Sequence, residues 1–136
     1  MERRLIPSEA QEQIALYKWC NLKGYPLVHI PNEGKRTAKN GRFLLMQGMQ
    51  PGFPDNVILF EAMVARPLFI ELKQNREYRP SEMRTPSWQR QEQWLVRLRE
   101  LGYGAMRCYG WEDAVKGIER YLGEVRYRKQ LLESKA

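Results

Sequence analysis

Residues 51 to 73 read Pro51-Gly52-Phe53-Pro54-Asp55-Asn56-Val57-Ile58-Leu59-Phe60, then a connection from Glu61 to Pro67, then Leu68-Phe69-Ile70-Glu71-Leu72-Lys73. Asp55 follows a Pro/Gly turn and opens the run Val57 to Phe60, which has the length and composition of a strand. Leu68 to Lys73 predicts a second strand, and Glu61 to Pro67 suits a hairpin connection between the two. Side chains alternate along a strand, so Glu71 and Lys73 point to one face while Ile70 and Leu72 point to the other. A hairpin brings Asp55, at the start of its first strand, close to Glu71 near the end of its second. Two carboxylates with a lysine beside them describe a site for a hard cation of the magnesium type, able to activate water.

The Pro-Asp, strand, turn, strand, Glu-x-Lys order resembles the PD-(D/E)xK nuclease signature. The fuller pattern, Pro51-Gly52-Phe53-Pro54-Asp55 with Phe69-Ile70-Glu71-Leu72-Lys73, is similar to the VRR-NUC (virus-type replication-repair nuclease) branch of that superfamily. Ile30-Pro31-Asn32 and Gly48-Met49-Gln50-Pro51-Gly52 also look like that family, and the resemblance covers roughly residues 8 to 122. It implies an α-β-β-β-α-β core, a mixed central sheet flanked by helices. It further implies a Mg²⁺- or Mn²⁺-dependent endonuclease acting on branched DNA, such as four-way (Holliday) junctions or flaps, in DNA repair. Small stand-alone members are similar to dimeric junction-cleaving enzymes of phage or prophage origin, so the resemblance also implies a homodimer.

Composition is consistent with that expectation. A chain of 136 residues with 43% hydrophobic content suits one domain with one core. The expected division is a nuclease domain over residues 1 to 124 and a basic C-terminal helix or tail over 125 to 136. A net charge of +7 points to a polyanionic partner. No apolar stretch approaches the ~20 residues of a membrane span, and Met1-Glu2-Arg3-Arg4 leads into no secretory segment. The expected location is therefore the cytoplasm of a bacterial or phage-infected cell. Cys20 and Cys108 stand apart in unlike contexts and read as buried small hydrophobes.

Along the chain, Ser8-Glu9-Ala10-Gln11 forms a capping box after Pro7 and starts a helix that runs to about Leu22. Glu9, Gln13, Leu16 and Cys20 share a stripe of that helix. Relatives carry a Glu, three residues, a Gln and a downstream Trp, similar to Glu9, Gln13 and Trp19, and the resemblance assigns the helical Glu to the metal site, directly or through water. Glu12 competes with Glu9 for that role. Tyr25 to Ile30 predicts a short strand ended by Pro31, and its His29 reads as a core histidine outside the chemistry. Asn32 to Gln50 reads as an irregular, glycine-punctuated loop whose Lys35, Arg36, Lys39 and Arg42 are placed to hold phosphates.

Gln74 to Pro86 is polar and predicts an exposed loop on the rim of the site, with Arg76 and Arg79 as further DNA contacts. Thr85 caps the next helix, Pro86 takes its first position, and Trp88, Gln91, Leu95 and Leu98 mark its buried face to about Glu100. Gln91 interrupts an apolar stripe, and a buried amide needs partners. The resemblance places it in the site, where it would hold Lys73 or a water. Tyr103 to Tyr109 alternates as a strand, and a last helix follows Gly110 with Val115, Ile118, Leu122 and Val125 in period. Arg126, Arg128, Lys129 and Lys135 form a basic end that suits a DNA arm, a dimer helix or a frayed tail.

The expected catalytic set is Asp55, Glu71, Lys73, Glu9 and Gln91, with Asp55, Glu71 and, by analogy, the Leu72 carbonyl as metal ligands. Lys73 would orient or deprotonate the attacking water, or offset developing charge. Two other readings stand beside the nuclease: a non-catalytic nucleic-acid-binding module of the same fold, and a structural protein of a phage particle or replication complex.

Overall fold

The computed structural model describes residues 5 to 31 and 38 to 135. Helix α1 (Glu9–Lys23) starts at the expected capping box: Ser8 N–H donates to Gln11 Oε1 at 2.8 Å, and Gln11 N–H donates to Ser8 Oγ at 3.1 Å. It ends at Gly24, whose φ of +73° lets its N–H turn back onto the Asn21 carbonyl, a conformation that favours glycine. Strand β1 (Leu27–His29) is shorter than the predicted Tyr25 to Ile30 because Pro26 and Pro31 bracket it. Helix α2 (Ala38–Met46) replaces much of the predicted loop, so Lys39 and Arg42 ride on a helix rather than on glycine-rich coil.

Strand β2 (Asn56–Ile58) and strand β3 (Leu68–Lys73) form the expected antiparallel hairpin, with Asn56 opposite Ile70. β2 is displaced from the predicted Val57 to Phe60 and stops at Ile58, although Leu59 N–H still reaches the Pro26 carbonyl at 2.9 Å. A short helix α3 (Pro80–Met83) lies inside the predicted rim loop, closed by Glu82 on Arg79 N–H at 2.7 Å. Helix α4 (Pro86–Glu100) matches expectation, including the Thr85 cap and the buried face Trp88, Gln91, Leu95 and Leu98. It carries the chain over to strand β4 (Gly104–Tyr109), which pairs parallel to β3. Helix α5 (Trp111–Ser134) runs straight through Gly123, so the basic C-terminal residues continue one helix.

The sheet order β1-β2-β3-β4 is a meander with one parallel strand added at its edge. Strand alternation gives the sheet two differently used faces. Leu68, Ile70 and Leu72 pack with Leu16 and Cys20 of α1 and Ala114 and Ile118 of α5. Phe69 points the other way, towards Leu95, Leu98 and Trp94 of α4 and Phe53 of the preceding turn. Full burial of each such leucine or isoleucine contributes about 1.5–3 kcal/mol. Cys20 and Cys108 are free and buried in the first layer, and burial pushes their thiols up to about 11 and about 12.

One polar contact ties the two ends of the chain. Glu12, 3% exposed, accepts from the Trp111 main-chain N–H at 2.6 Å, satisfying the first turn of α5 from ninety-nine residues away. Glu12→Ala strands that donor inside the protein. The expected loss is about 1–3 kcal/mol in urea unfolding, and a change within error would remove Glu12 from the architecture.

Candidate active site

Register determines what meets at the C-terminal end of β3. With Asn56 opposite Ile70, the residue before β2 falls opposite the residue after Ile70, which pairs Asp55 with Glu71. The turn that delivers Asp55 is pressed against α4. A Cβ on Gly52 would stand 2.8 Å from the Arg90 carbonyl carbon and 2.9 Å from the Gln91 nitrogen, and φ there is +82°. Only glycine fits this approach. A cleft of about 150 Å³ results, lined among others by Asp55, Glu71, Ser87, Arg90 and Gln91.

Asp55 is held by the backbone it faces. Its Oδ1 accepts from Leu72 N–H and from Asn56 Nδ2, both at 3.0 Å. Asn56, fully buried, also exchanges two hydrogen bonds with Gln13 of α1, at 2.7 and 3.0 Å. The helix and the site are thereby locked together through an amide pair. Burial raises the Asp55 carboxyl to about 6; the Leu72 N–H and His29 pull it back, while the charge of Glu9 pushes it up. Glu9 is exposed, and its charge acts on Asp55, whereas Glu12 is committed to α5. Between the two glutamates, Glu9 is the one electrostatically coupled to the cleft.

Glu71 is 3% exposed, and Lys73 Nζ lies 3.8 Å from its Oε1. Lys73 also sits over the Trp88 ring, 4.9 Å from its centroid. Gln91, 5% exposed, has its Oε1 buried without a hydrogen-bond partner. Within a strand, one residue's N–H and C=O point to the same side. The Leu72 carbonyl is therefore directed to the side on which its N–H meets Asp55. Among the described residues, no group of three or more His, Cys, Asp or Glu side chains is disposed around a metal position. Asp55 and Glu71 both line the cleft and offer carboxylate oxygens there.

Outside this cluster the sequence-predicted cations divide. Lys39 and Arg42 are exposed on α2, and Lys35 and Arg36 lie outside the described residues. Arg76 is committed within the rim: it pairs with Glu82 at 3.0 Å, donates to the Glu77 carbonyl at 2.8 Å and stacks on Tyr78 at 3.9 Å. Arg79 is exposed at the start of α3. His29 corrects the expectation of a core histidine: it is exposed, with Nδ1 2.9 Å from the Asp55 main-chain oxygen. Asn56, Trp88 and Arg107 join the site from outside the sequence-predicted set. The available signals were a buried-strand asparagine and a charge in the alternation of β4.

The raised carboxyl has a consequence for stability. Because the folded-state value lies above the ordinary 3.8, the native protein holds this proton more tightly than the unfolded chain does. For the metal-free protein, stability from this group is present below about pH 4 and is lost as pH rises to about 6, leaving a cost on the order of 3 kcal/mol above it. Asp55→Asn keeps an Oδ1 acceptor and removes the charge. Thermal unfolding without divalent cations should show the variant more stable at about pH 7.5 and the two proteins converging below about pH 4. Parallel pH profiles would refute the assignment.

No protein-family model matches the chain, and no curated protein matches it. A solved structure described as a VRR_NUC domain protein is similar to it at 23% sequence identity, covering 88% of this chain and 90% of that one, with a TM-score of 0.58. The mixed four-stranded sheet, its flanking helices and the hairpin that carries Asp55 and Glu71 thus make up a fold shared with a VRR-NUC domain protein.

Proposed function

We propose that the chain belongs to the VRR-NUC family and is a divalent-metal-dependent DNA endonuclease that hydrolyses phosphodiester bonds, selective for branched DNA such as four-way junctions or flaps. The observation that carries this reading is the meeting of Asp55, Glu71 and Lys73 at one strand end beside a cleft. The donor set fits Mg²⁺ or Mn²⁺, since hard cations take oxygen ligands, and a carboxyl pushed up by burial gains from a neighbouring positive charge. Asp55, Glu71 and the Leu72 carbonyl would hold the cation, with Glu9 acting through water or towards a second ion. When bound, the cation would supply Lewis-acid stabilisation of the phosphate and a more acidic water.

The remaining tasks fall to side chains. Lys73 donates towards the attacking water or the developing phosphate charge, from a position beside Glu71. Gln91 Oε1, buried and unpaired, accepts from a water or from Lys73 and orients it. Arg90 at the cleft, together with the exposed Lys39, Arg42 and Arg79, would meet backbone phosphates. Lys35 and Arg36 are assigned to the same phosphate contacts; Arg76, already paired with Glu82, is the weakest of the set.

A homodimer is part of the proposal. Tyr127, Leu131 and Leu132 are exposed on the last turns of α5, beside a groove of about 1070 Å³ that also exposes Met63. A second copy covering this apolar surface would present two sites to the symmetric strands of a junction. Light scattering should give twice the chain mass for the wild type and a monomer for Leu132→Asp; a monomeric wild type would sink this part.

Cleavage of end-labelled four-way junction, flap, linear duplex and single-stranded DNA with Mg²⁺ or Mn²⁺ tests the activity. The wild type should cut the branched substrates, and Lys73→Ala and Asp55→Asn should each lose about 10²–10⁴-fold in rate. Chelation should abolish cutting, and added cation should raise the Tm of the wild type but not of Asp55→Asn. Binding of all four substrates with no cutting would favour the non-catalytic binding module.

A further inference from the structure

Lys73 carries a four-carbon stem with several freely rotating bonds, and its amine stands 3.8 Å from Glu71, longer than a charge-assisted hydrogen bond. That carboxylate attracts the amine without fixing it. The Trp88 indole is also in contact, its centroid 4.9 Å from Nζ, inside the range of cation–π attraction. Trp88 is 9% exposed yet belongs to neither apolar cluster of the core. Its neighbours include two cations and a tyrosine: Lys73, the Arg107 guanidinium 4.3 Å from the ring centroid, and Tyr78 at 5.3 Å between centroids.

Each member of this stack is anchored by something else. The Trp88 main-chain N–H donates to Thr85 Oγ1 at 3.3 Å, at the cap of α4. Arg107 projects from β4 at the position paired with Glu71, and its Nη1 donates to Glu92 at 2.7 Å. Glu92 lies one turn after Trp88 on the same helix, so α4 presents the indole and the carboxylate side by side. Arg107 Nε and Nη2 are buried with no hydrogen-bond partner, so its planar guanidinium is committed to the ring face and to Glu92. Tyr78 is steadied by its hydroxyl, which donates to the Gln74 carbonyl at 2.9 Å, and by Tyr109 at 5.6 Å. Two cations and two carboxylates, Lys73 with Glu71 and Arg107 with Glu92, balance around one indole.

We infer that Trp88 is a positioning residue for Lys73: its indole, held in place by Arg107 and Glu92, supplies the surface that fixes the lysine amine beside Glu71. The inference rests on the nuclease reading only for its kinetic consequence. Its geometric content concerns the protein alone. Replacing the ring by an aliphatic group of useful volume removes the π face, while phenylalanine preserves one.

The test compares Trp88→Phe and Trp88→Leu with wild type, each checked for folding by circular dichroism and thermal unfolding. In protein labelled with ¹³C-lysine, the Lys73 ε-methylene, identified by its loss in Lys73→Arg, should resonate upfield of the other lysines through the indole ring current. Trp88→Phe should retain part of that shift, and Trp88→Leu should abolish it. On the branched substrate the wild type cuts best, Trp88→Leu should lose about 10²-fold in kcat with little change in KM, and Trp88→Phe should recover most of it. A folded Trp88→Leu protein with an unmoved Lys73 resonance and unchanged kcat overturns the inference. If the wild type cuts no substrate, the nuclease proposal fails, and the resonance still decides whether the indole holds the lysine.

Discussion

The hydrogen bond from the Leu72 main chain to the Asp55 carboxylate is the contact on which the candidate site depends. It joins the residue that precedes β2 to the strand that carries Glu71 and Lys73, and it does so where the ladder between those strands runs out. A carboxylate thus takes the place of a missing backbone partner. The arrangement keeps Asp55 half-buried, which costs stability when the group is charged, and the same desolvation makes it receptive to a positive charge. Stability surrendered at a strand end and capacity to attract a cation have one physical origin.

Around that contact, the sheet divides its labour by face. Leu68, Ile70 and Leu72 are spent on the layer with α1 and α5, leaving Phe69, Glu71 and Lys73 towards α4. Charged groups on a buried strand face need partners from the opposing layer, and α4 supplies them: Gln91 at the cleft, Trp88 over Lys73, and Glu92 for Arg107. The helix that crosses from β3 to β4 is therefore both the connection that makes the pair parallel and the lid over the charged half of the sheet. Gly52 permits its close approach.

The opposite layer contributes at longer range. Gln13 and Asn56 form an amide pair that fastens α1 to the start of β2, and Glu12 fastens the same helix to the start of α5. Three neighbouring polar residues of one helix, Glu9, Glu12 and Gln13, therefore serve three purposes: a charge felt at Asp55, a cap for another helix, and a clamp on the strand. Helical spacing alone does not separate these roles, because each depends on which element lies across from the residue.

Local sequence determined α1, α4 and the hairpin of β2 and β3. The Ser8 capping box, Thr85 with Pro86, the Trp88–Gln91–Leu95–Leu98 stripe and the spacing of Asp55 from Glu71 and Lys73 all act through neighbours a few residues away or through strand alternation, so they were legible in the chain. Periodicity marked Glu9 and Gln91 as polar residues on otherwise apolar stripes, and family resemblance assigned them to the site. Tertiary structure alone decided what depended on remote partners. It brought exposed His29 to the Asp55 main chain and placed the Trp88 ring against the Lys73 and Arg107 cations. Those outcomes follow from pairings between residues far apart in sequence, whose energies no local pattern encodes.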